Sequence, residues 1–153
     1  MADVIFRDAT RADLPAVVAL LVDDALGATR EELTDPLHPG YGAGFDAIAA
    51  NPNDRLVVAE QDGVVVGCLQ LAFIPGISHR GAWRGQIEGV RVSADLRGQG
   101  VGRRFMEWAI EQCRVKGCRM VQLTTNNARE DAHRFYRGLG FEGSHLGMKF
   151  VLG

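Results

Sequence analysis

The sequence predicts one mixed α/β domain of the α+β kind, a central sheet flanked by about four helices, over residues 1–153. Three observations carry this. Two β-branched runs meet at a tight-turn signal in RLVVAEQDGVVVGCLQLAF, and an extended stretch, residues 82–92, leads through a glycine-rich loop into an amphipathic helical pattern. Short strand and helix patterns then alternate on either side of this step. A chain of 153 residues can bury one sizeable core and is short for two ordinary domains.

VIFRDA, residues 4–9, reads as a first strand. In the TRAD that follows, Thr10 and Asp13 have capping-box spacing, with Asp13 the alternative cap because Pro15 suits a first turn. Leu14, Val17, Val18, Leu21 and Ala25 recur at helical intervals. From Leu26 to Asn53 the pattern loosens around Pro36, Pro39, Gly40, Gly42 and Gly44, which predicts a loop with one short helix near Phe45 to Ala50. Strands two and three flank Gln61-Asp62-Gly63. The fourth strand, AWRGQIEGVRV, carries Gly85 and Gly89, which suggest a bulge. After the loop, Val101, Phe105, Trp108, Ala109 and Cys113 share one side of a helix that Gly117 terminates. RMVQLTT supplies a fifth strand, DAHRFYRGL a helix stopped by Gly140, and HLGMKFVL a last strand.

Composition narrows the function classes. Net charge is −2, so no overall basic field gathers nucleic acid, and no apolar run is long enough to span a bilayer. MADVIFRDAT lacks a basic start followed by an apolar block, so a cytoplasmic protein without membrane or nucleic-acid partners is expected. Cys68, Cys113 and Cys118 form no CxxC pair and are expected as free thiols. His38, His79, His133 and His145 lack metal-ligand spacing, and no metal is expected.

The informative stretch is DLRGQGVGRR, residues 95–104. A strand that enters a helix through glycines leaves the first helical N–H groups pointing at the loop, where they and the helix dipole favour an anion. Glycines also let the backbone approach a phosphate and adopt positive φ. Arg97, Arg103 and Arg104 add charge. A Walker loop requires GK followed by Ser or Thr, which is absent, and the dinucleotide fingerprint requires a third glycine where Arg103 stands. A glycine-rich turn with solvated arginines is the remaining plain alternative.

Arg97-Gly98-Gln99-Gly100-Val101-Gly102 resembles the [QR]xxGx[GA] signature of the GNAT acetyltransferase superfamily, and AHRFYRGLGF, residues 132–141, resembles its AxxxYxxxGF hallmark. The resemblance is strongest from Ile87 to Phe141. It implies a mostly antiparallel sheet of six to seven strands, splayed between strands four and five, and an N-acetyltransferase that uses acetyl-coenzyme A. The residues implied to hold the pyrophosphate are Arg97, Gly98, Gln99, Gly100, Val101, Gly102 and Arg103. Main chain at Val90 and Val92 is implied to pair with the pantetheine arm, and Asn126, or else Asn127, to lie near the coenzyme. Tyr136 takes the place of the family's general acid, or is a helix residue packed on the sheet. Glu88 takes the place of a general base, or is a solvated strand residue; Glu60, Asp24 and Glu32 are weaker candidates for that role. Arg129 and His133 are placed toward the adenosine or phosphate side, and Phe135 in the core.

None of the cysteines sits in an evident Cys/His arrangement, so direct transfer to a primary amine of a small molecule or peptide is expected over a covalent route. Asp23, Asp24, Glu31, Glu32 and Asp35 form an acidic stretch that suits a cationic acceptor or is ordinary surface charge. A non-catalytic acetyl-coenzyme A sensor is the alternative function, and HLGMKFVL is either an edge for a homodimer or an internal strand.

Overall fold

The computed structural model describes residues 3–153. Five strands form one sheet in the order β1 (Val4–Asp8), β2 (Asp54–Gln61), β3 (Val64–Ile74), β4 (Arg84–Val92) and β5 (Met120–Leu123). The first three pairings are antiparallel and β4 with β5 is parallel. The helices are α1 (Leu14–Val22), α2 (Pro39–Ala50), the one-turn α3 (Ser78–Gly81), α4 (Val101–Lys116) and α5 (Glu130–Gly138). The architecture is the mixed α/β sheet expected, with five strands in place of six to seven.

The hairpin forms where the β-branched runs meet. Asp62 and Gly63 both have positive φ, 51° and 77°, the geometry of a two-residue turn that matches strand twist. On α4 the apolar stripe is buried: Val101, Phe105, Met106, Ala109 and Cys113 pack on Val57, Leu69, Leu71 and Ile87 of the sheet. Phe6 stacks on Phe105 with ring centroids 4.9 Å apart, which fixes β1 over the same helix. Gly117 ends α4 with φ 95°, and the Cys118 amide donates to the Cys113 carbonyl at 2.9 Å. The other face of the sheet carries α1, where Val17 packs on Val58 and Cys68.

Three expectations are corrected. Helix α2 begins at Pro39, well before Phe45, because the His38 ring accepts the Gly40 amide at 3.0 Å and Pro39 stands in the first turn. Its glycines do not break it; at Gly42 the absent side chain leaves room for Arg11, whose Nη1 lies 2.9 Å from where a Cβ would be, on its way to Asp46. Gly85 is not part of a bulge. A Cβ there would lie 2.3 Å from the Cys113 sulfur, so the missing side chain at Gly85 lets α4 pack closely on the sheet. We expect Gly85→Ala to lower unfolding free energy by about 1–3 kcal/mol in denaturant titration through overpacking. The last strand is also absent: HLGMKFVL has no strand partner among the described residues and its large side chains are exposed.

Candidate active site

The bulge lies at Gly89. Cys68 pairs with Arg91 and Gln70 with Glu88, so Leu69 alone opposes Gly89 and Val90, and Gly89 takes φ 61°. Beyond it β4 has no strand neighbour on its second edge among the described residues, because pairing with β5 stops at Ile87 and Leu123. The expected splay is therefore present, with residues 88–92 along its open side. The Ser93 amide donates to the Val66 carbonyl at 2.8 Å, and alternation turns the main chain of Val92 toward the opening. The Val90 carbonyl accepts from Arg91 Nη1 at 2.9 Å.

The bulge also sorts side chains. Gly85 and Ile87 face α4, so Glu88 projects to the opposite, α1 face, where it is exposed. The extra residue returns Arg91 to that same face, opposite Cys68. Gln122 Nε2 donates to Gln86 Oε1 at 2.8 Å, which ties β4 to β5 just below the opening.

The loop ahead of α4 is open. Gly98 and Gly100 have φ of 80° and 76°, and no atom lies within 4 Å of a Cβ built on either. The first intrahelical bond runs from the Arg104 amide to the Gly100 carbonyl at 3.1 Å, so the amides of Val101, Gly102 and Arg103 precede it. The Gln99 amide is turned inward to the Leu96 carbonyl at 3.3 Å. Arg103 pairs with Glu107 at 2.9 Å, while Arg97 and Arg104 have no ion pair among the described residues. This cradle suits a phosphate group: left-handed glycines, three converging donors and the positive end of a helix of 16 residues. Gly102 serves another end, since a Cβ there would meet the Phe135 ring at 3.5 Å and Val92 at 3.7 Å. It lets α5 pack on α4, and Phe135, expected in the core, is partly exposed over that contact.

Helix α5 brings Tyr136 half-buried onto the core, with ring centroids 5.3 Å from Phe135 and 6.0 Å from Phe141. Its hydroxyl makes no hydrogen bond to another described residue. Burial raises the phenol pKa above its ordinary value, and the positive charges of Arg91 and Arg129 oppose that rise. Tyr136 is accordingly a neutral phenol at physiological pH.

Asp24, a weaker candidate base, is committed elsewhere. Its carboxylate takes both Nη atoms of Arg129 at 2.7 Å and the Gly27 amide at 2.9 Å, with Arg91 Nη2 at 3.6 Å. The Arg129 pairing and these neighbours hold its pKa well below the usual carboxylate range. Asp24 is thus a permanently charged clamp that joins the segment after α1 to the start of α5. No local pattern announced this pair of residues 105 positions apart. Arg91 was likewise missed; its Nε and the Thr125 hydroxyl are buried without a hydrogen-bond partner among the described residues, Thr125 lying just past the end of β5. His133 and Asn126 are also engaged: the Asn126 side chain accepts the Ala128 amide at 2.9 Å, and its carbonyl contacts His133 Nε2 at 2.9 Å. Asn126 therefore shapes the turn into α5.

A cleft of about 560 Å³ lies between Thr29, Arg30, Glu31, Glu32, His38 and Tyr41, with the Tyr41 hydroxyl 3.2 Å from Glu31. The cysteines are free thiols, and burial pushes Cys68 and Cys113 up to about 12. Among the described residues no His, Cys, Asp and Glu group is arranged to hold a metal, and no helix is long and apolar enough to cross a membrane.

Comparison with known proteins accords with this geometry. Residues 18–141 match the model of the acetyltransferase (GNAT) family. An aminoalkylphosphonate N-acetyltransferase of Salmonella typhimurium is 34% identical over 140 residues, covering 92% of this chain and 86% of that one. An L-methionine sulfoximine/L-methionine sulfone acetyltransferase of Pseudomonas paraeruginosa is 31% identical, covering 94% and 86%. The crystal structure of a transcriptional regulator from Bacillus halodurans C-125 superposes with a TM-score of 0.95 at 43% identity, covering 98% of this chain and all of that one. The chain belongs to the acetyltransferase (GNAT) family and is an acyltransferase of the N-acetyltransferase type, whose acetyl donor is acetyl-coenzyme A.

Proposed function

We propose that this chain is a single acetyltransferase domain that moves the acetyl group of acetyl-coenzyme A directly to the primary amine of a small acceptor. The observation that carries the reading is the open β4 edge, which bears Glu88 and leads to the unobstructed Gly98–Gly100 loop, with Tyr136 within electrostatic reach of Arg91 on the same strand. The amides of Val101, Gly102 and Arg103, with Arg97, hold the pyrophosphate, and the main chain of Val90 and Val92 lies along the pantetheine arm. The coenzyme supplies an activated thioester.

Glu88, exposed on the acceptor face, takes a proton from the incoming ammonium directly or through one water. The freed nitrogen bonds to the acetyl carbon as the carbon–sulfur bond breaks, and the second proton that this nitrogen sheds, like the one held by Glu88, passes to solvent. Tyr136 Oη gives its proton to the departing sulfur and recovers one from solvent. Buried cysteines with raised pKa carry little thiolate, which supports direct transfer over an acetyl-cysteine route.

The acceptor we infer is a small amine that also carries an acidic group, as in the compounds for which the Salmonella and Pseudomonas relatives are named. Local charge supports this over a polycation: Asp24, part of the acidic stretch, is neutralised by Arg129, and Arg91 leaves the cluster beside Tyr136 with a net positive charge. Incubation with acetyl-coenzyme A and a panel of amines, read by mass spectrometry, should give singly acetylated aminophosphonates or amino-acid analogues ahead of polyamines and aminoglycosides. The reverse order would refute the acceptor class.

Similarity to a protein described as a transcriptional regulator favours a second reading, a coenzyme-binding regulatory module. Coenzyme binding without acetylation of any amine in the panel would select it.

A further inference from the structure

Arg91 brings a guanidinium with five N–H donors to the acceptor face of β4, and its side chain is only 15% exposed. One hydrogen bond is formed: Nη1 donates to the Val90 carbonyl at 2.9 Å. Nε is buried with no hydrogen-bond partner among the described residues, and Nη2 stands 3.6 Å from Asp24 Oδ2, too far for a hydrogen bond. Asp24 is held back, because its two oxygens already accept from Arg129 and from the Gly27 amide. Nε and Nη2 form one edge of the guanidinium, the fork that holds a carboxylate or phosphonate through two parallel hydrogen bonds. A largely buried cation with that edge unpaired is unfavourable until an anion meets it.

We propose that Arg91 is a specificity-determining residue of the acceptor site, its Nε–Nη2 edge binding the acidic group of the acceptor while Glu88 receives the amine. This rests on the acceptor class inferred above and adds the residue that enforces it. Strand register gives the spacing. Glu88 pairs with Gln70 and Arg91 with Cys68, so on one face of β4 the two side chains stand two β3 residues apart, roughly 7 Å. A carboxylate and a guanidinium at that separation complement a short zwitterion with about two carbons between ammonium and acid. The nitrogen is thereby set beside the group that deprotonates it. Orientation follows as well, since an acceptor bound the other way round would bring like charges together at both ends. Arg129 does not compete for the acid, because both of its Nη atoms are held by Asp24.

Calorimetric titration of the full chain, saturated with coenzyme A so that no transfer takes place, tests this by binding alone. The probes are 2-aminoethylphosphonate, β-alanine and β-alaninamide, the last matching β-alanine in shape without its negative charge. The wild-type protein should bind each acid at least about 30-fold more tightly than the amide. Arg91→Gln should cut that advantage to within about threefold, and Arg91→Lys, which keeps the charge and loses the fork, should leave an intermediate value. Wild-type protein that binds the acids no better than the amide would overturn the acceptor class and this inference with it. An acid preference that both variants retain would overturn this inference alone. So would an equal loss of affinity for all three probes, which would make Arg91 a support of the Gly89 bulge. If circular dichroism shows Arg91→Gln to be unfolded, Arg91→Lys decides by the same ratio, and an undiminished advantage there would overturn the role of the fork.

Discussion

Replacing Tyr136 with Phe is expected to lower turnover by about 100-fold or more while the affinity for acetyl-coenzyme A changes by less than about threefold. The substitution removes one oxygen and keeps the ring, so the edge contacts with Phe135 and Phe141 and the packing of α5 on the core persist. On the proposed mechanism it deletes the proton given to the departing sulfur. Because burial raises the phenol pKa, the wild-type group stays protonated through the neutral and mildly alkaline range. Stopped-flow or steady-state thiol release, set beside calorimetric titration of the coenzyme, separates the two quantities. An unchanged turnover would make Tyr136 a packing residue, which its half-buried position on the core also permits.

Gly100→Val should weaken acetyl-coenzyme A binding by about 100-fold or more. At φ 76° a β-branched residue is strained by roughly 1–2 kcal/mol, and its methyl groups enter the space that is free of atoms in front of the α4 amides. Part of the strain appears as lower stability; the steric effect appears as lost affinity in the folded variant. Gly102→Ala is the informative control. Its Cβ would touch Phe135 at an ordinary 3.5 Å and point away from the cradle, so affinity should fall far less. Equal losses at both positions would mean that the packing of α5 on α4, and not access of the pyrophosphate, sets binding.

The sequence made the local features legible and left the long-range ones hidden. Asp62-Gly63 defined its turn by φ alone, the α4 stripe by its spacing, and Gly98 with Gly100 by the freedom a phosphate cradle demands. Two motifs at family separation pointed to Tyr136 and the loop as parts of the proposed site. The Asp24 and Arg129 clamp could not be read, because two ordinary-looking charges acquire their meaning only when the segment after α1 meets the start of α5. Arg91 drew no reading from the sequence, because only the Gly89 bulge turns it onto the α1 face. Glycine statistics misled twice. In α2 the His38 cap and Pro39 outweighed three glycines, and at Gly85 the missing side chain served helix–sheet contact, which a single sequence does not distinguish from a bulge. HLGMKFVL has strand periodicity, yet it pairs with no strand among the described residues, because periodicity alone does not supply a partner.

Direct transfer from thioester to amine is the core of this account, and thiol release on rapid mixing with acetyl-coenzyme A tests it most directly. The wild-type protein should release no thiol without an amine, and one thiol per acetylated product once an acceptor is present. A burst of about one equivalent of thiol per chain before any amine is added would contradict the account, because it would mean that the acetyl group first passes to the protein itself.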